Sequence, residues 1–455
     1  MTIDDNTSRG APPKLSWHTR LGWRHRGFRA DRRSAKLILV MIFALPFLGD
    51  MQRLCRSVHA ELPVDYRIFH DAATRFAANP SGHIYAEKPS YLYPPFFLTT
   101  FVWLTHIPAP FGVLVYQLAK WAALYASLRI AWRLCAPRDE DVPPIVAVGA
   151  LLLMARYFNN EMLNGNINML ILFGVLLAAW LAVSGRHFSA GFVAAVVTCV
   201  KVTPALLLVY FVYKGWRCTV PGALLGAAVC LLLWPGAYIG WSDNLRLLGE
   251  WHEHIISGYV LRGAVYSVAS NQSLVGLLNR MLGSSIAMEP DVRLNFVQLA
   301  PPVLSAIRAA LSLGILATLA WSLRRRIQKA APPLIAATEI ALVQIAMLVL
   351  SGYTWKAHYV AMLLPYSALL AFLADARYPT RSRKWIVRLL ILSTVLMCLS
   401  GEIVTPRGAD YMQAYGVVLF SGIAAGAALL VQRRVLTEWE KSGQLQGGAE
   451  STNRS

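Results

Sequence analysis

The sequence predicts an all-α membrane protein with about twelve transmembrane helices, and three observations carry that prediction. Of 455 residues, 56% are hydrophobic and only 15% charged, with a mean hydropathy of +0.46; a soluble domain would carry about a quarter charged residues. Apolar runs of about 17–25 residues recur along almost the whole chain, each enough to cross a hydrocarbon core of about 30 Å as a helix. The net charge of +19 collects in short segments between those runs, among them "YKGWR", "LRRRIQK", "ARYPTRSRKWIVR" and "VQRR". Short Lys/Arg-rich loops at helix ends are the positive-inside signature, and they suit an anionic cytoplasmic leaflet. No aromatic-basic platform accompanies the charge, so no nucleic-acid partner is expected.

The elements follow in order. A basic tail, 1–35, precedes a membrane domain over 36–432, and a cytoplasmic tail follows at 433–455. Spans are expected at 36–52, 94–109, 111–134, 143–161, 167–184, 188–213, 217–240, 301–323, 333–352, 357–376, 385–404 and 412–432. Both termini then lie in the cytoplasm, with external loops at 53–93 and 241–300. One conflict stands: this parity puts "RIAWRLCAPRDED" outside despite Arg129, Arg133 and Arg138. The first span reads as uncleaved, because the basic segment before it is too long and Asp50, Arg53 and Arg56 interrupt the approach to "SVHA". The composition of 1–30 and 440–455 predicts disorder.

Chemistry is sought where polar residues survive among apolar ones. The first external loop opens with "LPVDYRIFHDAATRF", which alternates in type as a short amphipathic helix lying on the membrane would. Asp65 there is either a general base, able to take a proton from an alcohol, or the cap of that helix. Asp71 lies about one and a half turns further on and should point away from it. Lys201, within "TCVKVTPALLL", sits mid-span, where a lysine is costly and tends to face a cavity or an ion-pair partner. Pro204 breaks the helix beside it. Further polar islands are "RYFNNEMLNGNINML", "SNQSLVGLLNRM" and "SGYTWKAHYVAMLLP". Asn271 and Gln272 suit sugar hydroxyls or interhelical hydrogen bonds; His358 opens a span at the outer face. "HEH" at 252–254 is an ordinary surface pattern, the six cysteines form no CxxC pair, and no DxD, HExxH or P-loop occurs, so no metal and no cofactor are expected.

Taken together, "DYRIFHDAATRFAANPSGHIY", "YLYPPFF", "GNIN", "SAGFVAAVVTCVKVTPALLLVYFVYKGWR", "SNQSL" and "YTWKAHYVAMLLP" resemble glycosyltransferase family 87 over about residues 36–430. These are polyprenol-phosphate-mannose-dependent mannosyltransferases of the GT-C superfamily. The resemblance implies a GT-C-type bundle whose first external loop carries the catalytic acid, here Asp65. It implies that Lys201, Asn271, Gln272 and His358 line the site. Lys201, with Arg67 or Arg262, would stabilise the departing phosphate of the donor. Tyr93 and Trp355 would join Asn271 and Gln272 toward the sugar or acceptor. The partners implied are a polyprenyl-phosphate sugar, a glycolipid or glycan acceptor, and membrane lipids. The location implied is the inner (plasma) membrane, with the site on its periplasmic or extracellular side. Two departures are visible. "GNIN" replaces a commoner Gly-Gln start, and "SGYTWKAH" lacks a proline often found after that serine.

Two other classes compete. A transporter or lipid flippase would explain a buried Lys201 and helix-breaking prolines, but the two halves show no inverted repeat. A non-catalytic scaffold leaves Asp65 and the amide islands without a role.

Overall fold

A computed structural model of the chain describes residues 47–49, 62–86, 91–135, 144–261, 266–288, 292–327, 332–401 and 405–452. Among these residues every regular element is helical, apart from one isolated bridge between Met288 and Val292. The expected all-α class is therefore what forms.

Helix α1, Val64–Ala78, is the amphipathic helix expected in the first external loop. It buries Asp65, Tyr66, Phe69, Ala72, Ala73 and Phe76, a stripe at helical spacing. Helix α2, Pro95–Phe101, starts on a proline and runs into a 3₁₀ turn at Val102–His106. Seven residues of helix span about 10 Å, so the expected span 94–109 is not a crossing. Its residues are apolar because they pack against α1 rather than lipid: the rings of Phe97 and Phe101 lie 5.2 and 5.8 Å from Phe69.

Helix α3, Ala109–Cys135, begins beneath α1, so close that a Cβ on Gly112 would sit 2.5 Å from the Tyr66 hydroxyl. Its 27 residues run about 40 Å to the opposite end of the bundle. Helix α4, Pro144–Asn164, returns to the Asp65 end, and α5, Asn168–Val183, leaves it again. Without a crossing at 94–109, Arg129 and Arg133 move to the end remote from Asp65. The conflict in the positive-inside pattern disappears.

Parity is restored one element later. The expected single span 188–213 is a helical hairpin, α6 (His187–Val200) and α7 (Ala205–Tyr213), folded back at Lys201–Pro204. His187 at the start of α6 stacks on Trp216 just past α7, ring centroids 5.5 Å apart, so both legs end on the same side. Helix α8, Thr219–Ile239, contains a π-helical stretch at Val229–Leu233 and runs alongside α6. The approach is close because Gly191, Gly222 and Gly226 have no Cβ. One added at Gly222 would lie 2.0 Å from the Phe188 carbonyl. Small residues at this spacing let helix backbones meet in an apolar medium.

The expected loop 241–300 carries α9, Trp241–Trp251, and α10, Leu274–Leu282, with a π-helical stretch His252–Leu261 between them. The remaining long helices are α11 (Pro301–Leu323), α12 (Pro333–Val349), α13 (Lys356–Ala374, opening as a 3₁₀ turn to Met362) and α14 (Thr380–Leu399). The short α15, Pro406–Ala414, leads into α16, Val417–Thr452. Helix α16 continues well past the expected end of its span at 432, so the segment expected to be disordered from 440 is helical to Thr452. Among the described residues four helices are long and apolar enough to cross a membrane by themselves: α8, α11, α13 and α16 as far as Glu440. Helices α5, α6 and α12 are apolar but shorter. Most of the first expected span, 36–52, lies outside the described residues.

At the end remote from Asp65, a buried clamp joins α7, α12 and α16. Glu339 takes an ion pair from Lys214 at 2.7 Å, another from Arg433 at 2.7 Å, and a hydrogen bond from the Tyr210 hydroxyl at 2.9 Å. A carboxylate with three donors offsets the cost of burying these charges, and removing it would strand two cations.

Candidate active site

Asp65 stands in the first turn of α1, where the helix dipole favours a carboxylate. It is nevertheless not a cap, because the α1 N-terminus has no side-chain cap hydrogen bond. Asp65 is only 8% exposed, and its Oδ2 accepts a 2.6 Å bond from Nδ2 of Asn166, 101 residues along the chain. Gly165 makes this meeting possible. Its φ of +65° suits glycine, and a Cβ there would lie 2.8 Å from the Pro63 Cβ and 3.1 Å from the Tyr66 Cβ. The bend between α4 and α5, "GNIN", is thus pressed directly onto the start of α1.

The amide of Asn166 has a fixed orientation. Its Oδ1 accepts from the Ile167 N–H at 2.7 Å and from Asn168 Nδ2 at 2.8 Å, which turns its NH₂ toward Asp65. Asn168 then accepts at Oδ1 from the Lys201 ammonium, 2.8 Å away. A branch runs to Glu161, which accepts from Asn168 Nδ2 at 3.1 Å and from the Met169 N–H at 3.2 Å. Glu161 also pairs with Lys120 at 3.4 Å; both are fully buried. Two carboxylates and two ammonium groups are therefore wired together through two amides, with no net charge.

Lys201 caps α6 in an extended conformation at the hairpin turn. Asn168 is its hydrogen-bond partner, and no carboxylate lies within ion-pair distance of it among the described residues. A buried structural ion pair, the alternative reading of its sequence, is not what forms. Its ammonium borders a cleft of about 460 Å³ of empty space, mouth included, between α5, the hairpin turn, α12 and the start of α13. His358, Ser351, Thr354, Thr203 and Gln344 also border it. His358 Nδ1 accepts the Trp355 N–H at 3.1 Å, so the neutral ring carries its proton on Nε2.

Burial is the largest influence on the Asp65 carboxyl and raises it above its ordinary value of 3.8. The Asn166 hydrogen bond, then the charges of Lys201 and Lys120, oppose the rise. Burial, followed by the negative charges of Asp65 and Glu161, holds the Tyr93 phenol up. The Tyr353 phenol is pushed up to about 12, chiefly by burial, with Asp65 among the smaller causes. Both phenols thus feel Asp65, and Tyr93 packs against Phe69 and Phe97 rather than lining the cleft.

The other expected site residues fall differently. Asn271 and Gln272 are fully buried, with both ends of the Asn271 amide and the nitrogen of the Gln272 amide committed to backbone. Asn271 Oδ1 accepts from the Thr354 and Ser273 N–H groups, and its Nδ2 donates to the Tyr266 and Gly352 carbonyls. Gln272 Nε2 donates to the carbonyls of Ala269 and Gln413. Neither borders the cleft; they bind the loop before α10 to the loop before α13. Trp355 packs edge-on against Tyr353, centroids 5.4 Å apart, and Tyr353 lies 5.2 Å from Tyr266. Arg67, about 200° round α1 from Asp65, is on the exposed side. Arg262 lies outside the described residues. Asp71 is 54% exposed, as expected of a residue turned away. Among the described residues no group of three His, Cys, Asp or Glu side chains converges as a metal site would.

Helical packing of this kind around a buried network of two carboxylates, two amides and two ammonium groups defines a membrane protein with a polar site at one end of its bundle. A sequence profile for glycosyltransferase family 87 matches residues 91–352, more than half of the chain, and the chain belongs to that family. A relative from Mycobacterium tuberculosis, a polyprenol-phosphate-mannose-dependent alpha-(1-2)-phosphatidylinositol pentamannoside mannosyltransferase, is 28% identical over 311 residues. That match covers 66% of this chain and 63% of the relative, so the chain spans somewhat under two thirds of its length. No solved structure matches.

Proposed function

We propose that this protein is a membrane glycosyltransferase that moves a hexose, mannose by analogy with the mycobacterial relative, from a polyprenyl-phosphate donor to a lipid- or polysaccharide-linked acceptor. The reaction takes place at the outer face of the plasma membrane. The observation that carries the reading is the wired pair. The Asp65 carboxylate and the Lys201 ammonium are joined through Asn166 and Asn168 by bonds of 2.6, 2.8 and 2.8 Å.

A base and an unpaired cation held in fixed register are what an inverting transfer from a lipid phosphate requires. The acceptor oxygen forms its bond to the anomeric carbon while the bond from that carbon to the phosphate oxygen breaks. The acceptor proton goes to Asp65, and the bonding electron pair leaves with the phosphate. Attack and departure are on opposite faces, so configuration inverts. Asp65 has its Oδ2 fixed by Asn166, which leaves Oδ1 for the acceptor hydroxyl. Lys201 offers its remaining N–H groups to the phosphate, where charge develops. A lipid phosphate is a good leaving group, so no separate acid is needed. His358 borders the cleft beside Lys201, and Trp355 with Tyr353 forms an aromatic edge suited to a sugar face.

Purified protein in lipid vesicles, supplied with a radiolabelled polyprenyl-phosphate hexose and a mixed glycolipid acceptor, tests this reading. Label appearing in the acceptor supports it. Label that crosses the bilayer still attached to its prenyl carrier would point to a flippase instead.

A further inference from the structure

The cleft beside Lys201 has a floor as well as a rim, and the two differ in chemistry. Asn168, the first residue of α5, and Ser351, two residues past the end of α12, border it at the Asp65 end. Val175 on α5 and Gln344 on α12 border it seven residues deeper in each case. Seven residues of α5 rise about 10 Å, and Gln344 lies five helical residues before the end of α12, so both elements put this border well below the turn. The walls between are Ile171, Leu172, Met347 and Leu348.

Gln344 is anomalous there. It is 1% exposed, its Oε1 is buried without a hydrogen bond, and among the described residues no hydrogen bond reaches either end of its amide. Other interior glutamines also leave Oε1 unpaired, but each donates at Nε2: Gln117 to the Met162 carbonyl at 3.0 Å, Gln432 to Thr338 at 2.8 Å and Gln272 to the Ala269 and Gln413 carbonyls. A primary amide left unpaired in an apolar wall costs free energy, and polar groups at such depth in a membrane protein are seldom without use.

Resting on the transferase reading above, we propose that this cleft is the sugar subsite for the donor and that Gln344 at its floor hydrogen-bonds a hydroxyl of the hexose. A monosaccharide has apolar C–H faces and a polar rim, which fits apolar walls closed by one amide. A prenyl chain makes no use of an amide. A phosphate seeks the cation, and among the described residues the only cationic side chain bordering the cleft is Lys201 at the turn. With the phosphate there, the hexose extends downward and presents its far hydroxyls to Gln344, which accepts at Oε1 or donates at Nε2. Gln344 is then a specificity-determining residue, reading the sugar remote from the bond that breaks. A site built to pair a hydroxyl rejects the analogue that lacks it.

The test compares binding of three probes to purified protein in nanodiscs: a polyprenyl-phosphate hexose, its single-deoxy analogues, and bare polyprenyl phosphate. Gln344→Leu should bind the sugar-bearing donor about 10-fold more weakly, the loss of one or two neutral hydrogen bonds. It should bind bare polyprenyl phosphate like wild type. One deoxy analogue should bind wild type as weakly as the full donor binds the variant, with no further loss when the two changes are combined. Thermal stability should hold or rise, because the leucine leaves no unpaired amide. Gln344→Met, closer in shape, repeats the comparison should the leucine misfold. Unchanged donor binding in a folded variant overturns the inference, as does equal weakening toward bare polyprenyl phosphate. Wild-type protein that binds neither lipid overturns the transferase reading, and this inference with it.

Discussion

Asn166 donates to Asp65 across 2.6 Å, joining the bend between α4 and α5 to the first turn of α1. Because Asn166 Oδ1 is already held by Ile167 and Asn168, the amide cannot rotate without losing two bonds. The carboxylate is thereby fixed in place and made more acidic than burial alone would leave it.

On the proposed reading, Asn166 is a positioning residue for the base. Asn166→Ala should lower kcat/KM about 10- to 100-fold, the range of a hydrogen bond to a charged group. Donor binding should be nearly unchanged, since that depends on the cleft. If only binding weakened and turnover held, Asn166 would belong to the donor site and not to the base.

The pH dependence follows from the Asp65 carboxyl, raised by burial above 3.8. A base must be ionised, so activity should climb as pH rises through that elevated value and be lost below it. Asn166→Ala removes an influence that lowers the value, so the acid limb of kcat/KM should move to higher pH. A limb that stays put in the variant would show that another group titrates. Stability runs the other way. The folded state holds this proton longer than the unfolded chain, so ionisation between 3.8 and the raised value reduces stability. Asp65→Asn should then be no less stable than wild type at neutral pH.

Lys201 should matter through its charge. Lys201→Met should abolish transfer in a folded protein, whereas Lys201→Arg, which keeps the charge with a different geometry, should retain part of it. Lys201 has no carboxylate within ion-pair distance among the described residues, so the methionine variant should lose less stability than one that breaks the direct buried Lys120–Glu161 pair. A folded methionine variant with wild-type specific activity would remove Lys201 from the donor site.

The revised topology is directly testable. With α2 not a crossing and 187–216 a hairpin, Arg133 belongs to the same end as the Lys214–Glu339–Arg433 clamp, opposite Asp71. In a cysteine-free background, Asp71→Cys should react with an impermeant maleimide applied outside, and Arg133→Cys only after permeabilisation. Labelling of both from outside would restore the crossing at 94–109.

Much of this was legible in the residues. The helical class follows from the apolar runs, and α1 from the alternation in "DYRIFHDAATRF". Asp65 and Lys201 stood out as ionisable groups in costly places, and they do belong to one network. Two spans were misread for physical reasons. Residues 94–109 are apolar because they are buried in an aromatic cluster of the protein, which hydropathy does not distinguish from lipid. Residues 188–213 form one apolar run, yet Lys201 and Pro204 mark the turn inside it. Asn166 and Asn168 were visible as a polar island, but their partners are 101 and 33 residues away, and side-chain pairing at that range has no local signal. The same holds for Lys120 and Glu161, 41 residues apart. Gln344 could have been found as the lone amide in "IALVQIAMLVL". The amides of Asn271 and Gln272 looked like sugar ligands because an amide that serves the backbone reads identically in sequence.

The most direct test of the central claim is transfer of labelled hexose from a polyprenyl-phosphate donor by Asp65→Asn. Asparagine keeps the shape and can still meet Asn166, but it cannot take a full proton. The account predicts a loss of at least about 10²–10⁴-fold in turnover, with folded yield and donor binding near wild type. Asp71→Asn, changed on the exposed face of the same helix, should turn over normally. An Asp65→Asn protein that transfers hexose at the wild-type rate would contradict the claim that Asp65 is the base.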